Sequence, residues 1–237
     1  MRSLWCAFLF FLVACQGVNA DNRYPNDPNE PSRTKGNAIV KDPNESSRTK
    51  GDAVVKDTNE PNQPNEPNDP NELLRKKWDG IILILQNKDI DEEAKESQVG
   101  KIVTPVFDFP LMAKLALGRT HWPKLTQPQS EKFTRLFSEL LKKSYLAKIA
   151  LYKDEKILFK PAMQKKETVY IPTELIHEDK KVDILYKFRK VDKRWMIYDV
   201  EIQGVSILLT YRSQFDEILR RGTVEDLLSR LEKPPDD

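Results

Sequence analysis

The chain holds 237 residues, with 39 basic against 37 acidic side chains and the two signs interspersed. That balance argues against a nucleic-acid binder, whose footprint is a basic excess on one face. Both cysteines, Cys6 and Cys15, lie near the amino terminus, so neither a disulfide framework nor a thiolate metal site is available downstream.

Residues 4–14, LWCAFLFFLVA, form an apolar run of eleven after Met-Arg-Ser. The run is too short to span a bilayer core of about 30 Å and fits the apolar region of a secretory signal peptide, residues 1–20. Two cleavage readings stay open. Val18-Asn19-Ala20 has the small-residue pattern of ordinary signal peptidase. Leu12-Val13-Ala14-Cys15 resembles a bacterial lipobox, in which Cys15 becomes the lipidated first residue. Either way the chain reads as exported, and is free or tethered by its N-terminus.

Residues 21–72 are polar, rich in Pro, Asn and Asp, and without apolar periodicity. SRTKGNAIVKDPNE, beginning at Ser32, recurs fifteen residues later as SRTKGDAVVKDTNE. Four triplets beginning at Pro61, Pro64, Pro67 and Pro70 follow. A proline at every third position removes backbone donors and favours an extended, polyproline-like path. Such a segment cannot bury enough apolar surface to offset its ordering entropy, so a disordered linker is expected. From Cys15 to Asn71 a flexible chain would reach ~40 Å.

A folded domain is expected over 73–237. Leu74, Trp78, Ile81, Ile82 and Leu85 recur at helical spacing. A second helix is expected over 91–103, before Pro105, and a third over 109–117, stopped by Gly118. Thr126-Gln127-Pro128-Gln129 reads as a capping box opening a helix with an apolar stripe from Phe133 to Tyr145. The period then changes to two. Strands are expected over 155–163, 167–172, 182–188 and 195–203, with a hairpin turn at Asp192-Lys193. Val182, Ile184, Tyr186 and Phe188 share one face of theirs, opposite Asp183, Lys187 and Arg189. Met196, Tyr198, Val200 and Ile202 share a face of the next, with Asp199 and Glu201 pointing away to solvent or a salt bridge. Gly204 turns the chain off the sheet into a helix carrying Leu208, Tyr211 and Phe215, and a last helix starts at Thr223. Helices, then an antiparallel meander, then helices make an α+β fold.

Reactive chemistry is sparse. His121 and His177 are the two histidines, and neither has a partner at metal-ligand spacing; both read as loop or turn residues. The glycine-rich and nucleophile motifs of nucleotide-binding proteins and hydrolases are missing. No cofactor and no metal are expected.

One set of residues resembles a known family in order along the chain. It comprises Phe107-Asp108-Phe109, Met112-Ala113, Ala116-Leu117-Gly118 and Trp122; Thr126, Phe133, Phe137, Leu140-Leu141 and Tyr145; and Trp195, Tyr198-Asp199-Val200, Gly204-Val205-Ser206 and Tyr211-Arg212-Ser213-Gln214-Phe215. The combination resembles MlaC, the periplasmic phospholipid-binding auxiliary component of an ABC transport system, also called the toluene-tolerance family. The resemblance covers roughly residues 73–232.

It implies a nuclear-transport-factor-2-like fold, a curved antiparallel sheet with helices enclosing an apolar cavity for acyl chains. It implies a periplasmic, non-enzymatic, monomeric carrier that maintains outer-membrane lipid asymmetry. Its partners would be phospholipid, an inner-membrane MCE-domain ABC transporter and an outer-membrane lipoprotein–porin complex. Under it Met112, Leu115, Phe133, Phe137, Leu141, Ile184, Tyr186, Phe188, Met196, Tyr198, Val200, Ile202, Val205 and Tyr211 are the candidate cavity lining. Periodicity alone reads the same residues as packed core. Arg212 either meets a lipid phosphate at the rim or locks its helix by pairing with Asp199 or Asp108. A family shuttle follows its signal peptide almost directly, whereas here a candidate lipidated cysteine and a long tether intervene. Two rivals stand beside the carrier: an enzyme on the same fold with a polar pocket, and a tethered scaffold or adhesin with a solid core.

Overall fold

Asp69 opens the first helix, its carboxylate accepting the Asn71 N–H at 3.1 Å with Pro70 at the first helical position. The structure, a computed structural model, describes residues 67–150, 156–177 and 180–233. Cys15, the signal segment and the linker up to residue 66 lie outside the described residues, as do Glu178 and Asp179. Helix α1 spans Pro70–Gln86, so the last Pro-Asn-Glu triplet is not extended linker but a helical first turn. An Asp cap before a proline satisfies an orphan N–H and presets φ, which outweighs the repeat's extended preference there.

Helices α2 (Glu92–Val103), α3 (Phe109–His121) and α4 (Gln127–Ala150) follow, joined by short 3₁₀ turns at Thr104–Val106 and Trp122–Lys124. Asp91, Asp108 and Thr126 begin them; Thr126 and Gln129 exchange bonds as the expected capping box. Gly118 ends the regular helix after Leu117, as expected. It takes φ 75° and ψ 175°, kinking the helix, which resumes for one more turn through His121.

The sheet is antiparallel, with β1 (Lys156–Phe159), β2 (Met163–Lys165), β3 (Thr168–His177), β4 (Lys180–Val191), β5 (Arg194–Ile202) and β6 (Val205–Ser206). Its order is β1-β3-β4-β5-β6, and β2 takes the remaining length of the β3 edge. The single strand expected over 155–163 is two, broken around Pro161, which lacks a donor. Strand β3 continues past Pro172 to His177. The Pro172 carbonyl accepts from Lys160 N at 2.9 Å, so its donorless nitrogen faces the same broken edge and costs no ladder bond.

Asp192 (φ 46°) and Lys193 (φ 68°) form the expected two-residue turn between β4 and β5. Gln203 (φ 52°) and Gly204 (φ 77°) form another, so the chain does not leave the sheet at Gly204 but returns for two residues as β6. Ser206 then caps helix α5 (Ile207–Arg221), accepting from Leu209 N at 3.2 Å. Helix α6 (Val224–Glu232) closes the fold behind a Thr223/Asp226 capping box.

Helices α3 to α6 share one apolar core, with Met112, Leu117, Phe133, Phe137, Leu208, Tyr211, Phe215 and Leu227 almost fully covered. Its centre is aromatic. Phe133 and Phe137 stack at 5.8 Å, and Phe215 meets them edge-on at 5.4 and 5.7 Å. Tyr211 lies 5.2 Å from Phe137, also edge-on. Offset and edge-to-face pairs of this kind add about 1 kcal/mol each beyond area burial.

Candidate functional site

The sheet's two faces differ in chemistry. Register places Val169 opposite Phe188, Ile171 opposite Tyr186, Thr173 opposite Ile184 and Leu175 opposite Val182. Across β4 and β5, Phe188 faces Ile197, Tyr186 faces Val200 and Ile184 faces Ile202. These residues make a continuous apolar face, buried except for a half-buried Ile202. The Thr173 hydroxyl on this face donates to Ile184 O at 3.2 Å. Phe159 shares this face through its pairing with Thr173, and the Arg75 guanidinium lies 4.2 Å from its ring, which brings α1 to the same side.

The candidate lining thus divides. Ile184, Tyr186, Phe188 and Val200 belong to the apolar sheet face; Met112, Phe133, Phe137, Leu141 and Tyr211 lie in the helical core, with Leu115 packed against it. Met196, Tyr198, Val200 and Ile202 do not share one face. A bulge opposite Lys187 and Phe188 makes Tyr198 an extra residue, which exchanges the phase of the strand. Ile197, assigned to the outer face by simple alternation, is therefore on the inner one, while Met196 pairs with Arg189 on the other. The Tyr198 hydroxyl donates to that of Tyr170 at 3.3 Å. Val205 is 43% exposed and lies outside the interior.

The opposite face is polar where helix N-termini meet it. Lys187, Asp199 and Glu201 are all buried there, so of the two readings of Asp199 and Glu201, solvent or a salt bridge, the salt bridge holds. Lys187 Nζ is 3.0 Å from Asp199 Oδ2 and also binds Glu201. Ser206 Oγ donates to Asp199 at 2.9 Å, and Val200 N donates at 2.9 Å. Burial alone would lower the Lys187 pKa, but the two carboxylates overcome it and hold the ammonium above its ordinary range. Burial pushes Asp199 up, against the pull of Lys187, Ser206 and the Leu208 backbone. Arg189 Nε sits 2.9 Å from Asp108 Oδ2, the cap of α3.

Both carboxylates proposed for Arg212 are thereby engaged elsewhere. Arg212 instead lays its guanidinium over the α3 kink, where a Cβ on Gly118 would come within 2.7 Å of Nε. His121 ends α3 rather than lying in a loop, and its Nε2 is 3.2 Å from Asp216 Oδ1 of α5. Among the described residues no three His, Cys, Asp or Glu side chains are grouped so as to hold a metal ion. Nor is any described helix long and apolar enough to cross a membrane. A depression of about 350 Å³ at the α5–α6 junction is lined by Glu217, Ile218, Arg221, Gly222, Asp226 and Arg230, charged walls unsuited to an apolar ligand.

The sequence profile of the family described as "MlaC protein" matches residues 75–233, about two-thirds of the chain. The chain belongs to the MlaC family. The match begins inside α1 and runs to the end of α6, so the MlaC region takes in both the apolar sheet face and the helical core. A solved structure of a phospholipid-binding protein from Ralstonia solanacearum, in complex with a phospholipid, resembles this MlaC-family chain with a TM-score of 0.61 at 23% identity. The likeness covers 68% of this chain and 93% of that one, and at that identity it is a likeness of fold. No curated protein sequence matches the chain.

Proposed function

We propose that this protein is an exported phospholipid carrier that works by extracting and handing over acyl chains, without covalent chemistry. The observation that carries this reading is the MlaC family match from within α1 to the end of α6. Two further observations support it: the fold likeness to a structure solved with a phospholipid, and a sheet face of aliphatic and aromatic groups from β3, β4 and β5. Each methylene removed from water is worth ~0.8 kcal/mol, so two C16 chains exposed to water cost roughly 20 kcal/mol or more. Phospholipid crosses an aqueous compartment at a useful rate only inside an apolar site.

The lining face is closely covered, with Phe188 and Ile171 fully buried. Loading therefore requires the sheet and the helices over it to part, and acyl chains take up the contacts so exposed. We place the protein in the periplasm, held to a membrane through a lipidated Cys15 and the 21–72 linker. Its exchange partners are an inner-membrane ABC transporter with an MCE-domain ring and an outer-membrane lipoprotein–porin complex. Native mass spectrometry of protein exported from a Gram-negative host should show a bound phospholipid in stoichiometric amount. A lipid-free spectrum, and no uptake from labelled vesicles, would overturn the reading. Radiolabelled acyl incorporation that is lost in Cys15→Ala tests the anchor separately.

A further inference from the structure

Two hairpins end side by side at one end of the sheet. Thr168, the first residue of β3, pairs with Arg189, so the β2–β3 turn lies beside the last residues of β4 and the β4–β5 turn. With strands ~4.8 Å apart the two tips are about 10 Å from one another, comparable with the Debye length at ~0.1 M salt. They carry Lys165, Lys166, Lys190, Lys193 and Arg194, all exposed, against Glu167 and Asp192. None of the five cations has a carboxylate partner among the described residues. Arg189, nearby, is occupied by Asp108 and does not count among them.

Two of these lysines stand where lysine fits poorly. Lys166 (φ 54°) and Lys193 (φ 68°) occupy the left-handed region, which favours glycine or asparagine in such turns. Lys165 and Lys190 lie over aromatic rings, 4.6 Å from that of Tyr170 and 5.0 Å from that of Trp195. A half-buried Trp195 stands at this end with its indole N–H donating to Asn68 O at 2.7 Å. The incoming chain is thus fastened to the domain beside the same cations.

We infer that this hairpin end is a docking surface for an anionic lipid bilayer. A flat anionic surface matches cations without carboxylate partners spread over two tips, with amphipathic tryptophan and tyrosine beside them. The chain enters the domain at this end, where Asn68 meets Trp195, so under the membrane anchor proposed above, on which the choice of a membrane over an acidic protein rests, the tips stand next to the tethered end of the domain. The inference concerns the outside of the domain and stands whether or not its interior carries lipid.

Vesicle co-sedimentation tests it, using residues 21–237 secreted behind a signal peptide that leaves no acyl group. Vesicles of phosphatidylcholine alone are compared with vesicles that also contain phosphatidylglycerol. Binding is expected only with phosphatidylglycerol, and is lost at about 0.5 M salt, where screening shortens to a few ångströms. Each cation near an anionic surface contributes about fivefold in partition, and the tips carry a net excess of three, so the combined change of Lys165, Lys166, Lys190, Lys193 and Arg194 to glutamine lowers partition by at least about a hundredfold. Changing Lys88, Lys101, Lys114, Lys124 and Lys143 to glutamine removes the same charge elsewhere and leaves binding largely intact. Replacing the four tip lysines with arginine, which keeps the charge, retains binding. Circular dichroism melting shows that each variant is folded; Lys165 and Lys166, and separately Lys190, Lys193 and Arg194, are also changed to glutamine, and these smaller sets and the arginine variant stand in for any that is not. Absent binding, equal binding to pure phosphatidylcholine, or equal losses in the tip and control sets would overturn the inference.

Discussion

Lys187 Nζ reaches across the β4–β5 ladder to Asp199 Oδ2 at 3.0 Å, and Asp199 in turn holds the Ser206 hydroxyl that caps α5. A buried ammonium thus ties the sheet to the helix that supplies Tyr211 and Phe215 to the core. Removing it takes from two buried carboxylates, Asp199 and Glu201, the ammonium they share. Lys187→Met should lower unfolding free energy by about 3 kcal/mol, measured by urea denaturation. Adding Asp199→Asn and Glu201→Gln to it should restore part of that loss. Because the Lys187 pKa is raised, its contribution is complete below the ordinary lysine value of 10.5 and fades only as pH climbs through the higher folded value. The difference between wild type and Lys187→Met should therefore be fully developed at neutral pH. A cost below about 1 kcal/mol would mean that water reaches the cluster.

Gly118 and Arg212 form the second coupled pair. Gly118→Ala places a side chain at φ 75° and thrusts its Cβ to 2.7 Å from Arg212 Nε. This extended positive-φ conformation, open essentially only to glycine, alone costs about 1–3 kcal/mol. Displacing the guanidinium adds to it, so the single variant should lose more than the same change made in an Arg212→Ala background. A double-mutant cycle by chemical denaturation measures that difference. Equal losses would show that Arg212 yields freely and does not lock the helix.

These two pairs also mark where sequence reading succeeds and where it stops. The Thr126 capping box, the Asp192-Lys193 turn and the helix after Gly204 were legible because each rests on neighbouring residues with local geometry. The face assignment of β5 was not. Alternation put Met196, Tyr198, Val200 and Ile202 together, yet one bulged residue at Tyr198 reverses the phase and brings Ile197 inside. A bulge depends on the partner strand, so nothing in WMIYDVEI announces it. For Asp199 and Glu201 alternation left solvent and a salt bridge both open, and the salt bridge to Lys187 is what forms. Their burial rests on Lys187 of another strand and on the Ser206 cap. Asp69-Pro70 did carry a legible cap signal, which the surrounding triplet repeat obscured.

The last helix offers a pH-dependent test. Asp226 accepts the Thr223 N–H and hydroxyl, both at 2.8 Å, and these bonds hold its carboxyl below the usual range. A lowered carboxylate pKa gives stability that is complete above the ordinary value and is lost as pH falls through the folded one. Asp226→Asn should therefore lower the melting temperature at neutral pH, and the two proteins should converge in acid. Thr223→Ala removes the other half of the box and should cost about 1 kcal/mol. A difference for Asp226→Asn that persists unchanged below the folded pKa would exclude the ionised cap as its origin.

The β4–β5 turn separates stability from surface charge. Asp192 and Lys193 both adopt positive φ, where Asn-Gly is the preferred pair. Replacing them with Asn-Gly relieves the left-handed strain at Lys193 and should raise unfolding free energy by about 1 kcal/mol, read from the denaturation midpoint at unchanged slope. The exchange removes one acid and one base, so the net charge of the hairpin end stays the same. If that end meets an anionic bilayer chiefly through its summed charge, partition onto phosphatidylglycerol vesicles should change by less than about fivefold, the share of one cation. A much larger loss would locate the contact in the Lys193 side chain itself. Lost stability would show that Asp192 and Lys193 make turn contacts worth more than the relieved strain.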